Sequence, residues 1–275
     1  MTVRLVDAHV HLWDLDRHGL SWFRADLGLP RRALGSDLRA VAGAGPLLGV
    51  GVPLERAVAV QAGDGDDEVR WLTAQRDGVV GAVVLQHVPE QRGCLEAATA
   101  VPGGTVRGVR VAVPGRAEDL GDVPGLDALM GRAAELGVVV EFLVRWEQLA
   151  AVALLAARHP ATSVVVCHLG LGSGALVEGW ARGLAQLAAQ ANAAAKVSGV
   201  VTAAAGDSAR MAQVVATAVD AFGLERLMFG SDWPISARVA PYPQIVARTA
   251  AALPTLTATE TAAFWGGTAA RLYRL

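Results

Sequence analysis

A chain of 275 residues with 53% hydrophobic residues, 18% charged residues and a formal charge of -2 has the composition of a compact globular protein with a large core. The small net charge argues against nucleic acid as a main partner, and no apolar run reaches the roughly 20 residues needed to cross a bilayer. Two cysteines, Cys94 and Cys167, suggest neither a disulfide framework nor a zinc knot, so the expected compartment is the cytoplasm, with no leader ahead of the first strand.

The first element is the run Val3 to His11, a strand in which His9 and His11 point the same way because side chains alternate faces. Two converging imidazoles are half of a metal or acid/base site. Asp14 to Leu29 is interrupted by Gly19 and Gly28 and precedes Pro30; it reads as a loop over a strand end, carrying His18 and Trp22. From Arg56 onward short β-branched runs alternate with amphipathic stretches. Strands are expected at Ala57 to Ala62, Val79 to Gln86, Val106 to Val113, Val138 to Val144, Ser163 to His168, Ala194 to Gly199 and Arg226 to Asp232, eight in all with the first. Helical spacing marks Asp64 to Arg76, Leu126 to Leu136, Glu147 to Arg158, Ala175 to Ala191 and Ser208 to Phe222. Strands this uniformly apolar are covered on both faces, which fits a single α/β domain over residues 1–275, a (β/α)8 TIM-like barrel, better than an open doubly wound sheet. Thr257 to Leu275 reads as an extra C-terminal helix pair on the outside, without chemistry.

In such a barrel the reacting groups gather where the strands end. Those positions offer His9 and His11, Gln86 and His87, Arg110, Glu141, His168, Lys196 and Asp232. Ring closure sets the last strand beside the first, so Asp232 would face the histidine pair. His9, His11, His168 and Asp232 are then candidate ligands for one divalent ion, zinc in the first place, with catalysis without a metal left open. Of the 24 basic residues all but Lys196 are arginine, which marks a position where a compact ammonium is wanted. Bland readings stand beside these. Arg110 and Glu141, on adjacent strands, suit a buried ion pair; His87 and His159 suit structural roles, His159 as a helix cap. Trp13, Trp22 and Trp233 suit either packing or a substrate wall.

The motifs Asp7-Ala8-His9-Val10-His11-Leu12-Trp13-Asp14, Val60-Gln61 followed by Glu68, Gly108-Val109-Arg110, Cys167-His168-Leu169-Gly170, Lys196-Val197-Ser198-Gly199 and Phe229-Gly230-Ser231-Asp232-Trp233-Pro234 resemble, in order, the amidohydrolase-related branch of the amidohydrolase superfamily, and within it the sugar lactonases and the 2-pyrone-4,6-dicarboxylate lactonases. The resemblance implies a distorted barrel that hydrolyses a lactone. It implies Asp232 as the base that activates water, His9, His11 and His168 around the carbonyl, and Arg110 and Lys196 holding substrate oxygens. The chain departs from the family at Val84, Val111, Cys167 and Leu171, where aspartate, histidine, aspartate and lysine are usual. Fewer polar anchors lead us to expect a less hydroxylated or less anionic substrate than a typical sugar lactone. Gln86 and Glu141 complete the expected substrate contacts. The expected partner is a small molecule, the assembly a monomer or homodimer. A metal-dependent non-oxidative decarboxylase and a non-catalytic ligand-binding barrel are the alternatives.

Overall fold

A computed structural model of the chain describes residues 3–43, 52–63, 65–75, 78–88, 99, 104–172 and 178–275; Cys94 lies outside them. Eight parallel strands form one sheet in sequence order: β1 Leu5–Val10, β2 Leu54–Val60, β3 Val80–Gln86, β4 Val106–Ala112, β5 Val139–Leu143, β6 Val164–Val166, β7 Ala193–Val197 and β8 Leu227–Phe229. The sheet curls into a nearly closed TIM barrel. Its seam is a parallel bridge between Val10 and Trp233, with the amide of Asp232 donating to the His9 carbonyl at 2.8 Å and that of His11 to the Trp233 carbonyl at 2.7 Å. All eight expected strands are present. The last ones are shorter than expected because left-handed backbone at His168, Leu169 and Asp232 breaks the extended run.

Side chains alternate between two clusters, as in a barrel whose interior is itself packed. Val6, Ala8, Val58, Val60, Ala82, Val84, Val139, Val165, Ala194 and Met228 fill the interior. Their neighbours, including Ala57, Val83, Val109, Val140, Val164, Ala195 and Phe229, face the surrounding helices. Among the described residues the helices include α1 Gly35–Ala42, α2 Asp66–Thr73, α3 Leu126–Leu136, α4 Leu149–Arg158, α5 Glu178–Ala188, α6 Val200–Ala203, α7 Ser208–Phe222, α8 Tyr242–Ala252, α9 Ala258–Ala262 and α10 Thr268–Tyr273. Asp207 caps α7 by accepting from the amides of Ala209 and Arg210. Helix α1 lies ahead of Arg56, where no helix was among those expected. Between β1 and α1 the chain forms an antiparallel pair, Trp13–Asp14 with Arg32–Ala33, and a single 3-10 turn at Ala25–Leu27. Among the described residues no helix is long and apolar enough to cross a membrane.

The expected C-terminal helices are present, and one of their side chains lies elsewhere than expected. A π turn, Ala263–Gly267, joins α9 to α10 and packs so closely on β1 that a Cβ at Gly266 would lie 2.4 Å from the Arg4 carbonyl oxygen. Tyr273 then enters the interior cluster rather than packing outside. Its phenol donates to Glu141 Oε1 at 2.6 Å. The terminal helices therefore carry a polar contact into the barrel.

Candidate active site

The strand ends bring His9, His11, His168 and Asp232 together. Nε2 of His9 lies 3.3 Å from Nε2 of His11. Asp232 Oδ1 is 3.8 Å from His9 Nε2 and 3.7 Å from His11 Nε2, and the His9 and His168 rings are 4.6 Å apart. A register shift in β1 between Asp7 and Val10 sets this arrangement: Val6 and Ala8 fill the interior, and the shift brings His9 and His11 to the same side. His11 is oriented through Nδ1, 2.8 Å from the Val60 carbonyl, and His168 through Nδ1, 2.8 Å from the Ser198 hydroxyl. His168 and Asp232 have positive φ angles of 52° and 60°, a conformation uncommon for residues other than glycine and frequent where function requires it.

Burial controls the charges. Asp232 is 7% exposed, and desolvation pushes its carboxyl up to about 7, opposed by the Arg110 charge and reinforced by Asp7. Burial, followed by the positive charges of Lys196 or Arg110, holds His9 and His11 well below the ordinary imidazole range, and burial and Arg110 bring His168 down to about 4. At neutral pH the three imidazoles are neutral, the form that ligates metals.

This donor set fits a divalent ion: His9, His168 and Asp232 each offer an atom within 4.8 Å of the others, and nitrogen with carboxylate oxygen is the mixture that zinc accepts. A second trio at the same spacing, His9, Glu141 and Cys167, is already served by a protein cation. Lys196 Nζ donates to Glu141 Oε1 at 2.6 Å and lies 3.4 Å from His9 Nδ1.

Arg110, 5% exposed, turns toward β2 and β3, donating from Nε to Gln86 Oε1 at 3.1 Å and from Nη2 to the Gln61 carbonyl at 2.7 Å. Although Arg110 and Glu141 are register partners on β4 and β5, the ion pair expected between them does not form. Glu141 turns to Lys196, Tyr273 and the Cys167 thiol instead. Lys196 and Glu141 are both fully buried, so these two form the floor beneath His9 where substrate contact had been expected. Trp13 is fully buried, with Nε1 on the Pro30 carbonyl at 2.8 Å and its ring against Trp22 and Phe23. Trp22 is partly exposed and donates to the Ala62 carbonyl at the end of β2. Trp233 follows Asp232 and is 6% exposed. His159 is the C-cap residue of α4, its backbone amide donating to the Leu155 and Ala156 carbonyls, while its ring reaches Asp127 of α3 at 2.7 Å.

Two buried carboxylates that hold the strand ends in place, Asp7 and Glu68, were not singled out as candidates. Asp7, fully buried, accepts from the amides of His9 at 3.1 Å and Ser231 at 2.9 Å and from the Tyr242 phenol at 3.0 Å, so it clamps the loops that carry both site motifs. Glu68 similarly ties the end of β2 by accepting from the amides of Ala62 and Gly63. Each was visible only as a motif letter, with no signal for its contacts. The family departures also change meaning. Val84 lies in the interior cluster and Val111 faces the helices, while Cys167 is fully buried beside Glu141. None of the three forms a pocket wall, and the expectation of a less hydroxylated substrate loses that support.

The family model described as Amidohydrolase matches residues 6–275. An L-fucono-1,5-lactonase of Burkholderia multivorans is 33% identical, with 98% of this chain and 96% of that protein covered. An L-fucono-1,5-lactonase of Burkholderia ambifaria is 30% identical, with 86% and 82% covered. Among solved structures, an amidohydrolase of Burkholderia multivorans crystallised with zinc bound superposes with a TM-score of 0.86 at 31% identity, covering 99% of this chain and all of the other.

Proposed function

Because this chain belongs to the amidohydrolase family, we propose that it is a hydrolase that opens a lactone ring by adding water at Asp232. The observation that carries the reading is the buried Asp232 carboxylate, its Oδ1 3.8 Å and 3.7 Å from Nε2 of His9 and His11 with His168 beside them, a carboxyl that burial raises to about 7. A carboxylate so poised takes a proton from water and returns it to a leaving oxygen near neutral pH. The kinship to L-fucono-1,5-lactonases along the chain supports the lactone as the ester concerned.

In the proposed reaction Asp232 Oδ1 orients the water and accepts its proton as the water oxygen bonds to the ring carbonyl. The nearby Arg110 guanidinium, whose charge is felt at Asp232, His11 and His168, stabilises negative charge on the carbonyl oxygen. The proton held by Asp232 then passes to the ring oxygen as the carbon–oxygen bond breaks. Trp22 and Trp233 supply apolar walls, and Gln86 fixes Arg110 by accepting from its Nε. A divalent ion on His9, His11, His168 and Asp232 would polarise the carbonyl and acidify the water; zinc is the ion we assign, on the donor chemistry and on the zinc-bound relative.

The test is a pH-indicator screen of sugar lactones, L-fucono-1,5-lactone included, against simple alkyl lactones and aromatic acids, with and without added zinc, followed by mass analysis of products. Ring opening yields an acid heavier than the substrate by one water. Carbon dioxide from an aromatic acid, or tight lactone binding without turnover, would overturn the proposal.

A further inference from the structure

His9 has a nitrogen-bound neighbour at each end of its ring, and the two contacts decide where its proton sits. On one side Lys196 Nζ lies 3.4 Å from Nδ1. The lysine is fully buried and bonded to Glu141 at 2.6 Å, and an ammonium only donates. Nδ1 of His9 therefore accepts, which puts the ring proton of the neutral imidazole on Nε2. On the other side, Nε2 of His9 faces Nε2 of His11 at 3.3 Å. The opposite nitrogen of His11 is held at 2.8 Å by the Val60 carbonyl, which only accepts. His11 thus carries its proton on Nδ1 and presents a bare Nε2 to His9. The four groups form one directional chain, Lys196 to His9 to His11 to Val60, in which every donor has an acceptor.

A metal-bound histidine ordinarily donates its outer N–H to a carbonyl or carboxylate. His11 meets that pattern through Val60, and His168 through the Ser198 hydroxyl, which can accept. His9 does not, since a cation stands where the carboxylate would be. We propose that Lys196 is a positioning residue that locks His9 in the Nε2–H tautomer and thereby makes His9 the weak member of the metal donor set. A divalent ion can reach His9 Nε2 only by displacing that proton while Nδ1 still faces the ammonium, so the ion is held loosely. The carboxylate that would reverse this is already present: a Glu141 oxygen lies within 4.8 Å of a His9 nitrogen, but it is spent on Lys196 and Tyr273. The zinc arm of this inference rests on the donor set proposed above; the tautomer rests on geometry alone.

Long-range proton–nitrogen correlation spectra of nitrogen-15-labelled, chelator-treated wild-type protein test the tautomer directly, with His9 and His11 assigned by the signals lost in His9→Gln and His11→Gln. The expected result is His9 protonated on Nε2 and His11 on Nδ1. His9 protonated on Nδ1 would overturn the inference. Zinc affinity is then measured by competition with a chelating dye. Lys196→Met should bind zinc about tenfold or more tightly than wild type, the scale of changes in the groups behind a metal ligand. Glu141→Gln/Lys196→Met, which removes both buried charges, guards against loss of folding in the single variant and should also gain affinity. Unchanged or weaker zinc binding in a folded variant would count against the role of Lys196. Neither readout depends on turnover, so a failed lactone screen would leave both intact.

Discussion

Asp232 and His9 are joined twice: the Asp232 amide donates to the His9 carbonyl at 2.8 Å, and the Asp232 carboxylate stands 3.8 Å from the His9 ring. The bond that closes the barrel and the contact that builds the site are therefore made by the same two residues. Asp232→Asn keeps the backbone bond and the side-chain shape while removing the base. Turnover should fall by about 10²–10⁴-fold, the usual contribution of a positioned acid/base group. Circular dichroism and the thermal midpoint should stay native. A variant that kept most of its kcat would rule out Asp232 as the base.

The same carboxyl sets a pH dependence. Its folded pKa, about 7, is above its ordinary value of 3.8, so the folded state favours the protonated form. The stability it contributes is fully present below about pH 4 and is lost as pH rises through about 7. Activity runs the other way because the ionised form is needed: kcat/KM without added metal should rise through about pH 7. Asp7→Asn, which removes a like charge that raises the Asp232 pKa, should move that limb to lower pH. Added zinc should do the same, since a cation favours the carboxylate. A limb that Asp7→Asn leaves in place would mean that a different group titrates.

The eight strands were legible because each is a short, largely apolar run, and the meeting of His9, His11, His168 and Asp232 because polar side chains at strand ends of a barrel have few other places to point. What stayed hidden depends on directions that a one-dimensional pattern does not hold. Arg110 and Glu141 are register partners, yet one turns toward β2 and β3 and the other reaches Lys196 two strands away. Tyr273 is apolar enough to be expected in a core, but which core it enters is settled by the π turn on β1. Asp7 precedes the register shift in β1, and only the folded seam shows its hydrogen bonds to Ser231 and Tyr242.

The floor of the site should be costly to disturb. Glu141→Gln leaves the Lys196 ammonium buried without its counter-charge, a change worth about 3–5 kcal/mol of destabilisation. Tyr273→Phe removes one hydrogen bond to the same carboxylate and should cost about 1.5–3 kcal/mol. Urea unfolding of both variants checks the order. If Tyr273→Phe proved the more damaging, packing of the terminal helix rather than the buried charge pair would dominate.

Gly230 sits where the seam is tightest. A Cβ there would lie 2.8 Å from the His9 Cβ, 2.9 Å from the Ser198 Cβ and 3.3 Å from the His9 amide nitrogen, and none of these atoms belongs to a flexible side-chain end. Gly230→Ala must therefore push β8 away from β1 and β7, at about 1–3 kcal/mol for overpacking. The displacement falls two residues before Asp232 and directly against His9, so catalysis should suffer more than folding, because a shift of about 1 Å at a reacting group can cost about 10²-fold. Gly19→Ala, where a Cβ meets nothing within 4 Å, is the matched control and should leave both properties unchanged. The deciding comparison is kcat/KM against the urea midpoint. Loss of activity well beyond the fraction unfolded would show that closure of the barrel sets the geometry of the base, whereas full activity in a destabilised Gly230→Ala would show that the site tolerates an open seam.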